Sequence, residues 1–399
     1  MVEDAAVYED GFSGCDALIE SGGMMSEDGK TKSVKSVDGA ARPQRVSLKD
    51  IADELGISQT AVSFAINDRP GVSAETKRKV KETAARMGWS PVYAAQALGS
   101  SKTMTVGFAP SRAEDGIQND SFMMQFMAGI HQSLSRHGYG LLFRPCTSDK
   151  EAIAVYRDWA RRKRVDGVIL VDLYADDPRP QLLTELGLPS VLAGGPDPSN
   201  LIPSLSIDDS ATMRTVLEHL SLLGHRRIAY LSGDASLDYS QSRVAALKAF
   251  DKRRNFDRIW VEDTGFDARR GVELTQRLLT EPQPPTAFIY ETDTMAAASL
   301  RALSTVMLTG DLLSWDSGIR RFPYDLPAIV SFEDSAICES MFPSITAVHR
   351  DASLYGTKVA NLLLKVLAGE PVAGNRKILT PKLIVRESTR MILPTSETV

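Results

Sequence analysis

The stretch from Val46 to Leu98 constrains this chain more than any other. It begins VSLKDIADELGISQTAVSFAINDRPGVS. Ser47 is placed to cap a first helix, with Asp50 three residues on as an imperfect capping box. Leu48, Ile51, Ala52 and Leu55 recur at helical spacing. Gly56 then ends the helix where a left-handed backbone costs least. Ser58 is placed to cap a second helix carrying Val62, Ala65 and Ile66. The triplet Ala52, Gly56 and Val62 is the informative part. A small residue lets two helices cross closely, a glycine makes the turn, and a branched apolar residue packs beneath it. That geometry presents the second helix to a DNA major groove. A plain helical hairpin that binds nothing has much the same pattern and stays open on these residues alone.

The following residues weigh on the choice. Ser73 opens a third helix with Val80, Ala84 and Met87 on one face and Lys77, Arg78, Lys79 and Lys81 on the others. Trp89-Ser90-Pro91 leads into Val92-Tyr93-Ala94-Ala95-Gln96-Ala97-Leu98. The segments VSLKDIADELGISQTAVS, Asn67 closing the second helix, GVSAETKRKV and SPVYAAQAL together resemble the DNA-binding headpiece and hinge of the LacI family of bacterial transcription regulators. The resemblance continues to about residue 390.

Composition narrows the alternatives. With 399 residues the chain holds more than one domain. It has no apolar run of membrane-spanning length. Its acidic start lacks a secretion pattern, and a cytoplasmic, nucleoid-associated protein is expected. Cys15, Cys146 and Cys338 are far apart and odd in number, which favours buried or free thiols over a disulfide framework. The five histidines show no metal-ligand spacing, so neither metal nor cofactor is expected. The net charge of −5 is uneven: residues 1–45 carry nine acidic and five basic side chains, residues 46–103 eight basic and six acidic. A slightly positive end on an acidic body suits a protein that touches phosphates with one end only.

The expected organisation is a disordered tail (1–45, or an early-assigned start with Met24 or Met25 as the true one), a helix-turn-helix domain (46–90), a hinge helix and linker (91–103), a two-lobed effector-binding and dimerisation domain (104–392) and a short tail (393–399). From Thr105 onward, short apolar strands alternate with helices in two series, which favours parallel sheets covered on both faces. The fold class is therefore a small all-α headpiece plus an α/β domain with two doubly wound parallel sheets. By resemblance this domain is periplasmic-binding-protein-like, and the chain crosses between lobes near residue 205, near Ser331–Asp334 and near residue 378. The stretch STVMLTGDLLSWDSGIRR departs from the family pattern and reads as an insertion near 304–321.

The resemblance implies site residues. Gln59, Thr60 and Phe64 would face base edges, and Ser58 and Ser63 phosphates. Gln59 suits adenine, and the Thr60 methyl suits thymine. Phe64 stands where many members carry arginine, and it cannot make a bidentate guanine contact. It either meets a thymine methyl or packs into the headpiece core. Leu98 matches the residue that wedges into the minor groove, with Ala95 packing across the dimer. In the cleft, Phe122 and Phe266 would stack on a ligand, while Arg243 and Asp293 would bond its hydroxyls. The bland alternatives are a helix cap for Asp293, core positions for the aromatics and a surface ion pair for Arg243.

No phosphate-loop or nucleophile-elbow motif is present, and no catalytic residue is expected. The expectation is a homodimeric regulator, in the repressor sense, that binds near-palindromic double-stranded operator DNA and a small effector, a sugar first. An effector-independent regulator and a cytoplasmic solute-binding protein with a degenerate headpiece are the alternatives.

Overall fold

The computed structural model describes residues 46–90, 102–111, 120–254, 256–309, 326–379 and 381–389. The expected amino-terminal tail, the hinge with Ala95 and Leu98, most of the apparent insertion and the carboxy-terminal tail lie outside the described residues. The chain divides into two compact units that part between Ser90 and Pro91.

The first unit is three helices: α1 (Leu48–Leu55), α2 (Gln59–Ile66) and α3 (Ala74–Arg86). Ser47 and Asp50 form a complete capping box. The Asp50 backbone N–H donates to Ser47 Oγ at 3.3 Å, and the Ser47 N–H donates to Asp50 Oδ2 at 2.8 Å. The Ser47 N–H and the Ser47 hydroxyl, both donating to Asp50 Oδ2, hold the Asp50 carboxyl below its ordinary range. Gly56 takes φ +63, the left-handed turn that lets α2 fold back. Ile51, Ala52, Val62, Ala65, Val80 and Ala84 form the buried centre of the unit, and Trp89 and Met87 close over it. Val62 is wholly buried. Val62→Ala should therefore cost the headpiece about 2 kcal/mol. Hydrogen exchange of the α1–α3 amides in the full chain should read this as roughly 30-fold faster exchange through local opening. Unchanged exchange would mean that Val62 does not hold the turn together.

The second unit has two lobes. The first lobe is built from β1 (Thr105–Phe108), α4 (Ser121–Arg136), β2 (Gly140–Phe143), α5 (Asp149–Arg162), β3 (Gly167–Leu170), α6 (Arg179–Glu185), β4 (Ser190–Ala193) and β5 (Ser204–Ile207). The second contains α7 (Asp209–Leu222), β6 (Arg227–Ser232), α8 (Asp238–Arg254), β7 (Arg258–Asp263), α9 (Ala268–Leu279), β8 (Ala287–Tyr290), α10 (Asp293–Thr309), β9 (Ala328–Ser331), α11 (Ala336–Ser340) and β10 (Thr346–His349). The chain then returns to the first lobe with α12 (Ala352–Leu367) and β11 (Asn375–Leu379), and ends in the second with β12 (Lys382–Ile384).

The two six-stranded sheets have the orders β11-β5-β4-β3-β1-β2 and β12-β10-β9-β8-β6-β7. All pairings are parallel except β12 on β10. Each sheet has an apolar cluster on both faces, so central strands such as β3, β8 and β9 read as continuous, largely apolar runs. The second lobe crossing differs from the expectation near Ser331–Asp334. β9 pairs with β8 and β10 inside the second lobe, and the chain leaves only at His349–Ala352. The other two crossings lie between β5 and α7 and between β11 and β12.

In the first lobe α4 and α12 touch backbone to backbone. A Cβ placed on Gly129 would lie 1.9 Å from the Ser353 carbonyl oxygen, and one on Gly356 would lie 2.1 Å from that of Phe126. Cys146 and Cys338 are buried free thiols, pushed up by burial to about 11 and about 12.

Candidate DNA-reading helix and interlobe cavity

Ser58 caps α2, its Oγ accepting from the Ala61 N–H at 3.1 Å. Gln59 and Thr60 follow in the exposed first turn, where base edges are normally read. Ser63 is half-buried. Its carbonyl accepts from Asn67 Nδ2 at 2.8 Å, which closes the helix at the residue expected to do so. Phe64 is half-buried and stands outside the apolar cluster of the unit. Its ring rests beside Gly71 and under the Arg69 guanidinium, 5.9 Å from the ring centre. That placement disfavours the core reading of Phe64. On α3 the basic residues are tied up in exposed ion pairs: Lys81 and Lys77 with Asp68, Arg78 with Glu82 and Lys79 with Glu75. Such pairs contribute about 0–1 kcal/mol each and yield easily to a phosphate.

In the second unit a cavity encloses about 1100 Å³ of non-atom space, its open mouth included. It is lined from both lobes. Phe122, Phe126, Tyr355 and Ala193 come from the first; Asp209, Tyr239, Arg243 and Phe266 come from the second. This is the carboxyl end of the strands in each sheet, where open parallel sheets bind ligands. Phe122 stacks parallel on Phe126 with ring centres 6.1 Å apart. Phe266 holds φ +65, and its ring occupies the space where Gly233 lacks a side chain; a Cβ there would be 2.3 Å from the ring.

Arg243 lies on α8 and is only 2 % exposed. Its Nε donates to Asp209 Oδ1 at 2.8 Å, and its terminal nitrogens bond Asp209 and Glu291. The guanidinium is packed between Tyr239, at 5.0 Å, and Phe332, at 4.5 Å. Burial opposes its charge, but Asp209 and Glu291 outweigh it and hold the Arg243 pKa well above its ordinary value. Tyr230 donates to Glu291 from below. Burial, with the Glu291 charge added, keeps that phenol protonated. Thus Arg243 is neither a surface ion-pair partner nor a fork held open for a ligand alone.

Three of the four expected cleft residues line the cavity: Phe122, Arg243 and Phe266. Asp293 does not. It is wholly buried, accepts from the Thr294 N–H at 2.7 Å, and bonds Ser335 Oγ. Glu291, two residues earlier, takes the place at the cavity wall.

Several lining residues were not read from the sequence. Arg350 sits in the second lobe crossing, stacked 4.6 Å over Phe122 and 3.5 Å from Glu333 Oε1. Lys377 of β11 reaches Asp208 Oδ2 at 2.8 Å. The pair Asp208-Asp209 becomes legible only once β5 is seen to end just before it. Glu333-Asp334 reads in sequence as an acidic pair at a lobe crossing. In the structure it is split, with Glu333 at the cavity and Asp334 bound to Arg386 and His349.

Residues 47–92 match the family described as bacterial regulatory proteins, lacI family, and residues 217–389 match the periplasmic binding protein-like domain. The regulator CelR of Thermobifida fusca is 30% identical over 355 residues, covering 87% of this chain and 99% of that protein. The regulator AglR of Rhizobium meliloti (strain 1021) is 29% identical over 350 residues, covering 86% and 94%. Among solved structures, a CelR–cellobiose complex matches with TM-score 0.63 and 28% identity, over 86% of this chain and all of that one. The Lac repressor dimer bound to operator and the anti-inducer ONPF has the same fold, with TM-score 0.71 at 24% identity, over 87% of this chain and 100% of that one. With its three-helix headpiece, two crossed-over parallel lobes and full-length relatives, the chain belongs to the LacI family of DNA-binding transcription regulators.

Proposed function

We propose that the protein is a repressor that acts at the nucleoid as a homodimer on a near-palindromic operator, and that a carbohydrate in the interlobe cavity sets its operator affinity. The observation that carries this reading is the cavity itself. Aromatic faces (Phe122, Tyr239, Phe266) and hydroxyls (Ser206, Ser210, Ser242) converge on it from both lobes, next to chain crossings that a change of lobe angle must bend. The likeness to a cellobiose-bound regulator supports the choice of ligand class. A ligand that prefers one lobe angle by about 1–3 kcal/mol shifts operator affinity by the same factor.

On α2, Gln59 and Thr60 read bases, Ser58 and Ser63 approach phosphates, and Phe64 adds an apolar contact. By resemblance, Leu98 and Ala95 serve the hinge. Selection of bound duplexes from a random pool by the full-length protein tests the DNA half of the proposal. An enriched palindrome supports it, and release of that duplex by a neutral sugar supports the rest. Gln59→Ala should cost about 1–3 kcal/mol at one position of each half-site and relax the base preference there only. An unchanged preference at every position would remove Gln59 from the reading set.

A further inference from the structure

We infer that the cavity admits uncharged polyhydroxyl ligands and rejects anionic ones, phosphorylated sugars and uronates included. The inference rests on the carbohydrate reading above and narrows it. Among the described residues, six carboxylates line the cavity: Asp172, Asp208, Asp209, Asp238, Glu291 and Glu333. Three cations line it, and each is already engaged by a carboxylate. Arg243 is held by Asp209 and Glu291, Arg350 lies beside Glu333, and Lys377 bonds Asp208. A phosphate that took Arg243 would have to displace Asp209 or Glu291 and leave that carboxylate unpaired, and at Arg350 and Lys377 it would compete with Glu333 and Asp208.

The helix ends give the same answer. A helix N-terminus is the other ready site for an anion, because its backbone N–H groups and dipole face outward. The three helices whose first turns line the cavity each open on an aspartate. Asp120 accepts from the Met123 N–H of α4 at 2.7 Å, and Asp208 accepts from the Ala211 N–H of α7 at 3.0 Å. α8 starts with Asp238, whose carboxyl is raised by burial and then by the negative charge of Asp209. That second cause means the wall is already electrostatically crowded with negative charge. A further anion would add like-charge repulsion, while sugar hydroxyls can donate to the same carboxylates.

The test is calorimetric titration of the full-length protein with matched pairs: cellobiose and cellobiose 6-phosphate, trehalose and trehalose 6-phosphate, glucose and glucuronate. The expected result is that at least one neutral sugar binds and its anionic counterpart binds at least about 100-fold more weakly. Asp238→Asn should shrink that ratio about tenfold, because one carboxylate charge is removed without change of shape. An anionic member that binds as well as its neutral partner overturns the charge rule and leaves the carbohydrate reading standing. A ratio that Asp238→Asn does not move overturns the cavity carboxylates as its source. No binding by any member overturns both readings.

Discussion

Arg243→Ala is expected to destabilise the second unit by about 3–5 kcal/mol, the usual cost of removing one partner from a buried ion pair. The reason is what it leaves behind. Asp209 and Glu291 reach Arg243 from two different elements, and Glu291 is as buried as the arginine. Without the guanidinium the protein would bury two carboxylates beside a space that once held an aromatic-flanked cation. Arg243→Lys should recover only part of the loss, since a single ammonium cannot bridge both carboxylates as the fork does. Urea unfolding reads the effect as a lower midpoint for the transition of the two-lobed unit. A loss below about 1 kcal/mol would show that the network is as weak as an exposed pair. The same substitution should abolish any sugar response, because Arg243 forms part of the cavity wall.

Gly356→Ala should be nearly as severe, at about 3 kcal/mol. In an isolated helix the change would favour folding by about 1 kcal/mol, because alanine is the better helix former. Here the methyl would sit 2.1 Å from the Phe126 carbonyl oxygen, with Ile130 N at 3.0 Å. The obstacles are backbone, which no rotamer change relieves, so α4 and α12 must separate and the core they share with Tyr355, Val359 and Leu363 must loosen. Gly369→Ala, at the carboxy-terminal end of α12, serves as a control. No atom lies within 4 Å of the added Cβ there, so only the cost of φ +72 applies. If Gly356→Ala raised the unfolding midpoint, the close crossing of the two helices would be wrong.

The headpiece was legible because its signals are local. Ser47 and Asp50, Gly56, Ser58 and Asn67 each act within four residues of their own position, and each forms the cap or turn that its type suggests. The strand–helix alternation was legible for the same reason wherever strands were apolar. β5, β10 and β11 escaped. In β5, Ser204 and Ser206 alternate with Leu205 and Ile207, yet both serines are buried; Ser204 Oγ is satisfied by Asn375 Oδ1 at 2.6 Å, a partner 171 residues away. β11 carries exposed polar residues at the sheet edge. The resemblance puts the second crossing just after β9, whereas β10 keeps the chain in the second lobe until His349.

The cavity shows a similar limit. Arg243 could be picked out, but its partners Asp209 and Glu291 lie 34 and 48 residues away and carry no local mark. Asp293 is singled out by the resemblance, and the bland alternative of a helix-end role is nearer to its place: it stands first in α10 and bonds Ser335.

The first lobe is not contiguous in sequence, and this bears on the order in which the protein can mature. Its strands β1 to β5 end at Ile207, but α12 and β11, which cover one face and complete one edge, are encoded after almost the whole second lobe. On a ribosome, the strands made first must wait, with the apolar surface around Phe108, Phe126 and Val191 uncovered, until Tyr355, Val359 and Leu363 emerge. The second lobe, nearly continuous from Asp209 to His349, waits only for its edge strand β12. The half of the body synthesised first is therefore the half whose core stays uncovered longest, and it is the half most exposed to aggregation while translation proceeds.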